Sequence, residues 1–397
     1  MKILFLIGAG VSQGAGMIGT QDLDNNIRTG ENIYRHTDGK YYFANNLEDC
    51  YKVSDYIRIA VINLINFITN KLVDSHLQIK INYEYLYYYL NELNLHFSSE
   101  KNNLFVDVFF KLNKIDINKL SEVTDRSGIN KIELNYLFQE AVNYMRDATN
   151  YLLNYYQSNL TSKLNHLNLI KDVNSLKNVE NIYLVTTNYD NLIEKYFEQN
   201  NISLYNNFTK LNEEVSKFEF DIKNTIKNKI SLIKIHGSLN LYRLRKANSL
   251  WESEFYGETN NINYEININE EYYHVPQTYP IIMLGVSNKD SEYTRGYYFK
   301  VFIAFNECLE NSNIVIVAGY SFLDSGINTR IIEWVYNNYK KNKLIVINPD
   351  IRNLIDNEMS GNIWNKLQMW QRDGVIHFIE SKFENVSLEE IEKIINL

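Results

Sequence analysis

Seven short apolar runs punctuate the chain: Ile3–Ile7, Ile182–Val185, Ile230–Ile235, Ile281–Leu284, Ile314–Ala318, Leu344–Ile347 and Val375–Ile379. They lack the polar–apolar alternation of a half-buried strand and are too short for helices. They therefore read as strands apolar on both faces, the kind found in parallel sheets covered by helices. Between the first run and the second the pattern changes. Tyr51 to Val73, Tyr83 to Leu95 and Lys131 to Leu164 carry apolar residues at helical spacing, with no proline. The pattern predicts an α/β core built from residues 1–23 and 179–397, and a large inserted helical subdomain over 24–178. Gly30 to Asn45 reads as a loop or hairpin inside the insertion, and Asn-rich Glu258 to Tyr279 as a hairpin excursion from the core. The aromatic segment Tyr83-Glu84-Tyr85-Leu86-Tyr87-Tyr88-Tyr89 reads as helix packing or a subunit contact, not a base-stacking platform.

Polar residues fall where such a sheet would use them. Five of the runs lead at once into a small or polar cluster: Gly8-Ala9-Gly10-Val11-Ser12, Thr186-Thr187-Asn188-Tyr189-Asp190, His236-Gly237-Ser238, Gly319-Tyr320-Ser321 and Asn348-Pro349-Asp350. The carboxyl ends of parallel strands share one edge, and open sheets bind ligands there. The clusters are thus expected to converge on one cleft, and the core reads as a Rossmann-like parallel sheet with helices on both faces.

Composition narrows the chemistry. The chain has 397 residues, 45% of them hydrophobic and 22% charged, the profile of a folded globular protein. Forty basic against 48 acidic side chains give a net charge of −8, so no global basic field exists to capture nucleic acid. Two cysteines, Cys50 and Cys308, cannot build a four-thiolate zinc site, and none of the seven histidines stands in a metal-ligand spacing. No metal is expected. No apolar stretch approaches the ~20 residues of a membrane span, and the expected location is the cytoplasm.

Motif spacing removes several enzyme classes. Gly8-x-Gly10-x-x-x-Gly14 departs from the dinucleotide fingerprint, because Gln13 stands where the third glycine belongs. Gly14 is not followed by Gly-Lys-Ser/Thr, which excludes a phosphate-loop ATPase. Leu323 breaks the G-x-S-x-G elbow around Ser321, which argues against a serine hydrolase. What remains is a strand-to-helix turn at Gly8-Ala9-Gly10 suited to a phosphate, and an Asn188 amide able to orient a ligand or water. Asp190 reads as a helix N-cap, and His236 as a side chain placed to accept a proton near neutral pH. Gly319, Ser321 and Asn348 offer groups for phosphate or ribose, and Asp324 reads as a helix cap.

Taken in order, these clusters resemble those of the sirtuin-like family. Gly8-Ala9-Gly10-Val11-Ser12 is similar to its GAGxS opening, Thr187-Asn188-Tyr189-Asp190 to its QNxD segment, His236-Gly237 to its HG pair, Gly319-Tyr320-Ser321 to its GTS turn and Asn348 to its adenosine-side Asn. The resemblance implies cleavage of NAD at the nicotinamide–ribose bond. It implies that Gly8, Ala9, Gly10 and Ser12 line the phosphate turn and that Asn188 and Asp190 face the nicotinamide ribose. His236 would be the general base, and Gly319, Ser321 and Asn348 would hold the adenosine half.

The departures bear on the acceptor. Protein deacylases of this family carry a four-cysteine zinc module, which this chain lacks, and the usual Pro and Asp-Phe-Arg are replaced by Gly16-Met17-Ile18-Gly19-Thr20-Gln21-Asp22-Leu23. A zinc-less core with a helical insertion resembles NAD hydrolases of bacterial anti-phage defence, in which water is the acceptor. That resemblance implies a homo-oligomer and a HerA-type ATPase partner. The readings set against it are an NAD- or ADP-ribose-binding sensor or scaffold without turnover and, further off, a protein deacylase.

Overall fold

The computed structural model describes residues 1–43, 55–74, 81–100, 102–114, 117–120, 122–125, 128–160, 164–247, 254–260, 262, 265–276, 279–285, 289–339, 341–356 and 363–396. Cys50, the beginning of the helix expected from Tyr51, the far end of the 30–45 reading and positions 161–163 of the 131–164 reading fall outside these residues. Two compact units are formed, one from Met1–Met17, Tyr156–Met283 and Lys289–Leu397, the other from Ile18–Tyr155 with Leu284–Asn288.

The first unit is built on a parallel sheet of β1 (Lys2–Ile7), β2 (Asn181–Thr186), β3 (Ile230–Lys234), β4 (Ile314–Ala318), β5 (Lys343–Ile347) and β6 (Ile376–Ile379), in the order β6-β5-β4-β1-β2-β3. Six of the seven apolar runs are these strands. Their side chains alternate between two covered faces, which is why both sets of positions are mostly apolar, with Ser231, Lys234 and His377 among the exceptions. On one face Leu4, Leu6, Val185, Val315 and Val317 pack under Phe305 and Leu309 of the helix Gly296–Glu310 and Ile331 and Trp334 of the helix Ser325–Asn337. On the other, Phe5 meets Phe383 edge-on at 6.4 Å. This is the α/β, Rossmann-type architecture expected from the sequence. Strand order reverses between β1 and β4, and the carboxyl edge opens at that switch point.

The seventh run is not a strand of this sheet. The outer edge of β3 is taken by Tyr205, whose carbonyl accepts the Leu232 N–H at 2.7 Å. Ile281–Met283 instead laces the turn that follows β3. Ile281 N–H donates to the Leu241 carbonyl at 2.7 Å, Met283 N–H to His236 at 2.9 Å, and Ser238 N–H to Ile281 at 3.0 Å. An apolar run records burial, not hydrogen-bond partners, so β3 and its lacing segment look alike in sequence.

The excursion is larger than the hairpin expected over 258–279. Ile266–Ile268 and Glu271–His274 do form a hairpin, but within a six-stranded antiparallel sheet with Leu241–Lys246, Glu254–Thr259, Val215–Phe218 and Phe208–Lys210. Alternation in Leu241-Tyr242-Arg243-Leu244-Arg245 buries Tyr242 and Leu244 beside Val215, Ile266 and Ile268.

The second unit is mainly helical, with Thr20–Thr29, Asp55–Asp74, Tyr83–Phe97, Leu104–Leu112 and most of Leu134–Ser158. Asn82 starts the aromatic helix by accepting the N–H groups of Glu84 and Tyr85, and Tyr83 and Tyr87 are buried with Leu86, Leu90 and Leu93. That settles the Tyr run as packing at these two positions. Ile33–Arg35 pairs with Tyr41–Phe43 as a hairpin. The Arg35 guanidinium forks onto Glu140 at 2.8 and 3.0 Å, and Glu140 also accepts the Tyr41 hydroxyl at 2.8 Å. No helix among the described residues is long and apolar enough to cross a membrane.

Gly237 makes the turn after β3 possible. Its φ is +86°, and a Cβ there would lie 2.0 Å from the Ile281 carbonyl oxygen. Gly237→Ala is expected to destabilise the first unit by about 2 kcal/mol or more, from the left-handed backbone cost with the clash added. Urea unfolding with an unchanged midpoint would refute this.

Candidate functional site

The turns after β1 and β4 meet backbone against backbone. Gly8 N–H donates to the Ala318 carbonyl at 2.9 Å and Gly10 N–H to the Gly319 carbonyl at 3.0 Å. A Cβ on Gly8 would stand 2.4 Å from the Gly319 oxygen, and one on Gly319, whose φ is +60°, 2.5 Å from the Val11 nitrogen. These glycines are therefore required by loop packing before any ligand is considered. The Gly10 N–H is spent inside the protein, and the helix that contains it, Ala9–Gln13, is only five residues long.

That cleft has a volume of about 450 Å³, within the usual range for ligand sites. It is lined by Gly10, Gly319, Ser321 and Asn348, together with Lys382 and Glu384. Four sequence-predicted residues are thus brought together. Ala9 and Ser321 are exposed, whereas Asn348 uses its Oδ1 to accept the Asp350 N–H at 2.8 Å.

Gly8, Ser12, Asn188 and Asp190 form a second group, beneath the turn. The Asn188 Nδ2 donates to Ser12 Oγ at 2.8 Å and to the Gly8 carbonyl at 3.1 Å, and Ser12 Oγ donates to Asp190 Oδ2 at 2.8 Å. Thr186 Oγ1 donates to the Ile7 carbonyl and accepts the Asn188 N–H, both at 3.0 Å, fixing the loop on the end of β2. Asp190 is not the N-cap. That position belongs to Asn191, and Asp190 Oδ1 accepts only the Leu192 N–H at 3.2 Å, because its other oxygen is turned to Ser12. With its amide nitrogen committed, Asn188 presents Oδ1 as a buried acceptor with no hydrogen-bond partner. Such an atom costs roughly 1–3 kcal/mol unless a ligand or water supplies a donor.

His236 stands two residues past β3, the strand paired with β2, so it and Asn188 leave the same edge of adjacent strands. Only 4% exposed, its Nε2 lies 2.8 Å from the Tyr293 hydroxyl and 3.1 Å from Asp324 Oδ2, and the Tyr293 hydroxyl donates to the same carboxylate oxygen at 2.7 Å. Asp324 is the N-cap of Ser325–Asn337 as expected, accepting the Ile327 N–H on Oδ1 at 3.1 Å, but it is also the partner of His236. Burial pushes its carboxyl up. The hydrogen bond and charge of His236, then Lys289 and the Ile327 N–H, outweigh this and hold it well below the usual carboxylate range. Burial, followed by the Asp324 charge and hydrogen bond, drives the Tyr293 hydroxyl far above its ordinary value. Nothing in the motif pattern marked Tyr293, which comes from an unrelated segment 57 positions away.

Lys234 was also invisible in sequence, as the last residue of an apolar strand. Its buried ammonium lies 2.6 Å from the Asp190 carbonyl, 2.7 Å from Asn191 Oδ1, 2.7 Å from Ser238 Oγ and 3.1 Å from Glu194 Oε1. It ties the loop bearing Asn188 to the loop bearing His236. Among the described residues no cluster of His, Cys, Asp and Glu is arranged to hold a metal. Cys308 is buried in the helix Gly296–Glu310.

Two comparisons with known proteins find similarities. The family described as SIR2-like domain matches residues 183–369, a stretch containing Asn188, His236, Gly319, Ser321, Asp324 and Asn348. The match supports a sirtuin-like family for this chain. A solved structure of a mutant Sir2 homologue in complex with 2'-O-acetyl ADP ribose is similar at 12% identity and a TM-score of 0.33, covering 100% of this chain and 92% of that one. No curated protein matches.

Glu258, beside Lys234 and Glu194 at a water-sized cavity of about 10 Å³, gives the supporting cluster a pH signature. Burial first, then the charge of Glu194, raises its carboxyl from 4.5 to about 7. The folded chain keeps a proton there that the unfolded chain has lost, so stability from this group is full below the ordinary glutamate range and declines as pH rises towards 7. Glu258→Gln should remove that decline, and the stability of the variant relative to the native chain should grow between pH 5 and pH 8 in urea melts. Parallel pH curves for the two proteins would contradict the assignment.

Proposed function

We propose that this chain is an NAD glycohydrolase, cleaving the nicotinamide–ribose bond and releasing nicotinamide and ADP-ribose. The observation that carries this reading is the unpartnered, buried Oδ1 of Asn188, held by Ser12 and Gly8 at the same sheet edge as His236. A buried acceptor maintained without a donor suits a ribose hydroxyl or an attacking water. As the C1'–N bond breaks, its electron pair returns to the nicotinamide ring and leaves an oxocarbenium-like sugar. Water adds at C1', and the proton it loses passes to His236. Gly319, Ser321 and Asn348, which line the 450 Å³ cleft, would take the adenosine half. The SIR2-like match supports NAD as the substrate. Water as acceptor, a role in anti-phage defence, assembly into an oligomer and a HerA-type ATPase partner rest on the family resemblance and on the absent four-cysteine module.

The test is nicotinamide release from NAD by the purified full-length chain, alone and with candidate ATPase partners. Asn188→Ala and His236→Ala should each lower kcat/KM by about 10²-fold or more while the protein still folds. Tight NAD or ADP-ribose binding without nicotinamide release under every partner condition would replace the hydrolase with a sensor.

A further inference from the structure

The Tyr293–Asp324–His236 cluster admits a proton count. An ionised carboxylate only accepts hydrogen bonds, and Asp324, which takes the Ile327 N–H on Oδ1 and lies within the field of Lys289, is held in that form independently of His236. The single phenolic proton of Tyr293 must then point to Asp324 Oδ2, 2.7 Å away. The Tyr293 oxygen is left as an acceptor towards His236 Nε2 at 2.8 Å, and Asp324 Oδ2 is a second acceptor towards the same nitrogen at 3.1 Å. With acceptors on both sides, Nε2 must carry hydrogen. The reverse arrangement, Tyr293 donating to a bare Nε2, sets two lone-pair contacts against each other, Asp324 with Tyr293 and Asp324 with His236.

We propose that Asp324 and Tyr293 are positioning residues that lock His236 as its Nε2–H tautomer, so that Nδ1 is the nitrogen that takes up the proton in the reaction. The catalytic part of this statement rests on the reading of His236 as general base; the tautomer does not. The chain's order enforces the lock. Asp324 cannot swing away from His236 without also giving up the Ile327 N–H at the start of the helix Ser325–Asn337. The other groups facing the cluster are Lys289, whose charge acts on Asp324, Asp290 and Tyr320, which act on Tyr293, and the Tyr189 ring, 6.5 Å from the His236 ring. Because the carboxylate faces the imidazole, it stabilises the imidazolium formed when Nδ1 is protonated.

Nitrogen-15 NMR of the full-length chain labelled in histidine reads the tautomer directly. The native protein should show His236 protonated at Nε2 and bare at Nδ1 above its titration. Asp324→Asn keeps an oxygen to accept the Ile327 N–H but can place an amide donor against Nε2. It should shift His236 towards the Nδ1–H form, lower kcat for nicotinamide release by about 10²-fold or more with little change in KM, and move the acid limb of the pH profile down. Tyr293→Phe leaves the Asp324–His236 bond and should retain Nε2–H. An Nδ1–H tautomer in the native chain, or one unmoved by Asp324→Asn, overturns the proposal, and the native spectrum alone decides if that variant does not fold. The expected tautomer in a chain that never releases nicotinamide would uphold the lock and remove the hydrolase reading.

Discussion

The contact on which the site depends is the approach of two glycine turns, Gly8–Gly10 after β1 and Gly319 after β4, close enough that no Cβ fits between them. It joins the two turns at the strand-order switch point and sets where the chain after β4 must run. From Gly319 that chain passes the cleft at Ser321 and arrives at Asp324, the carboxylate beside His236. Between them sits Phe322, a bulky residue with φ +56°, fully buried and with its carbonyl held by Asn328 Nδ2 at 2.7 Å. A left-handed phenylalanine persists only where packing over-determines it. The six residues Gly319–Asp324 are thus one rigid strap, lining a ligand cleft at one end and holding an imidazole at the other.

Two buried charges organise the remaining loops. Lys234 gathers carbonyls and side chains from the segments after β2 and β3, and Asp324 joins the segment after β4 to Tyr293 and His236. Burying either ion alone would cost several kcal/mol, and each is surrounded by enough hydrogen bonds to offset that cost. Removing their partners is correspondingly expensive, so these loops are held in a single arrangement. In that arrangement Asn188 has its amide nitrogen committed and its Oδ1 left without a hydrogen-bond partner, which is a property of a binding site more than of a core.

The parallel sheet was legible because its signal is local. Six apolar runs gave six strands, and polar clusters at their ends placed Asn188 and His236 at the carboxyl edge. The antiparallel sheet was mostly hidden, since its strands are short and polar on one face, and Ile281–Met283 imitated a strand because burial alone does not say what a backbone bonds to. Asp190 was misread as the cap because the competing hydroxyl, Ser12, lies 178 positions away.

The sequence by itself determined which residues could be strands, where the backbone had to be glycine, and which side chains could handle a ligand or a proton. Only the tertiary structure decided that Gly10 spends its N–H on Gly319, that Asn188 has an oxygen to spare, and that the partners of His236 are Tyr293 and Asp324. The reason is physical: periodicity and turn chemistry act between neighbours in the chain, whereas proton positions and hydrogen-bond partners are set by groups that folding brings together from 57 to 309 residues apart.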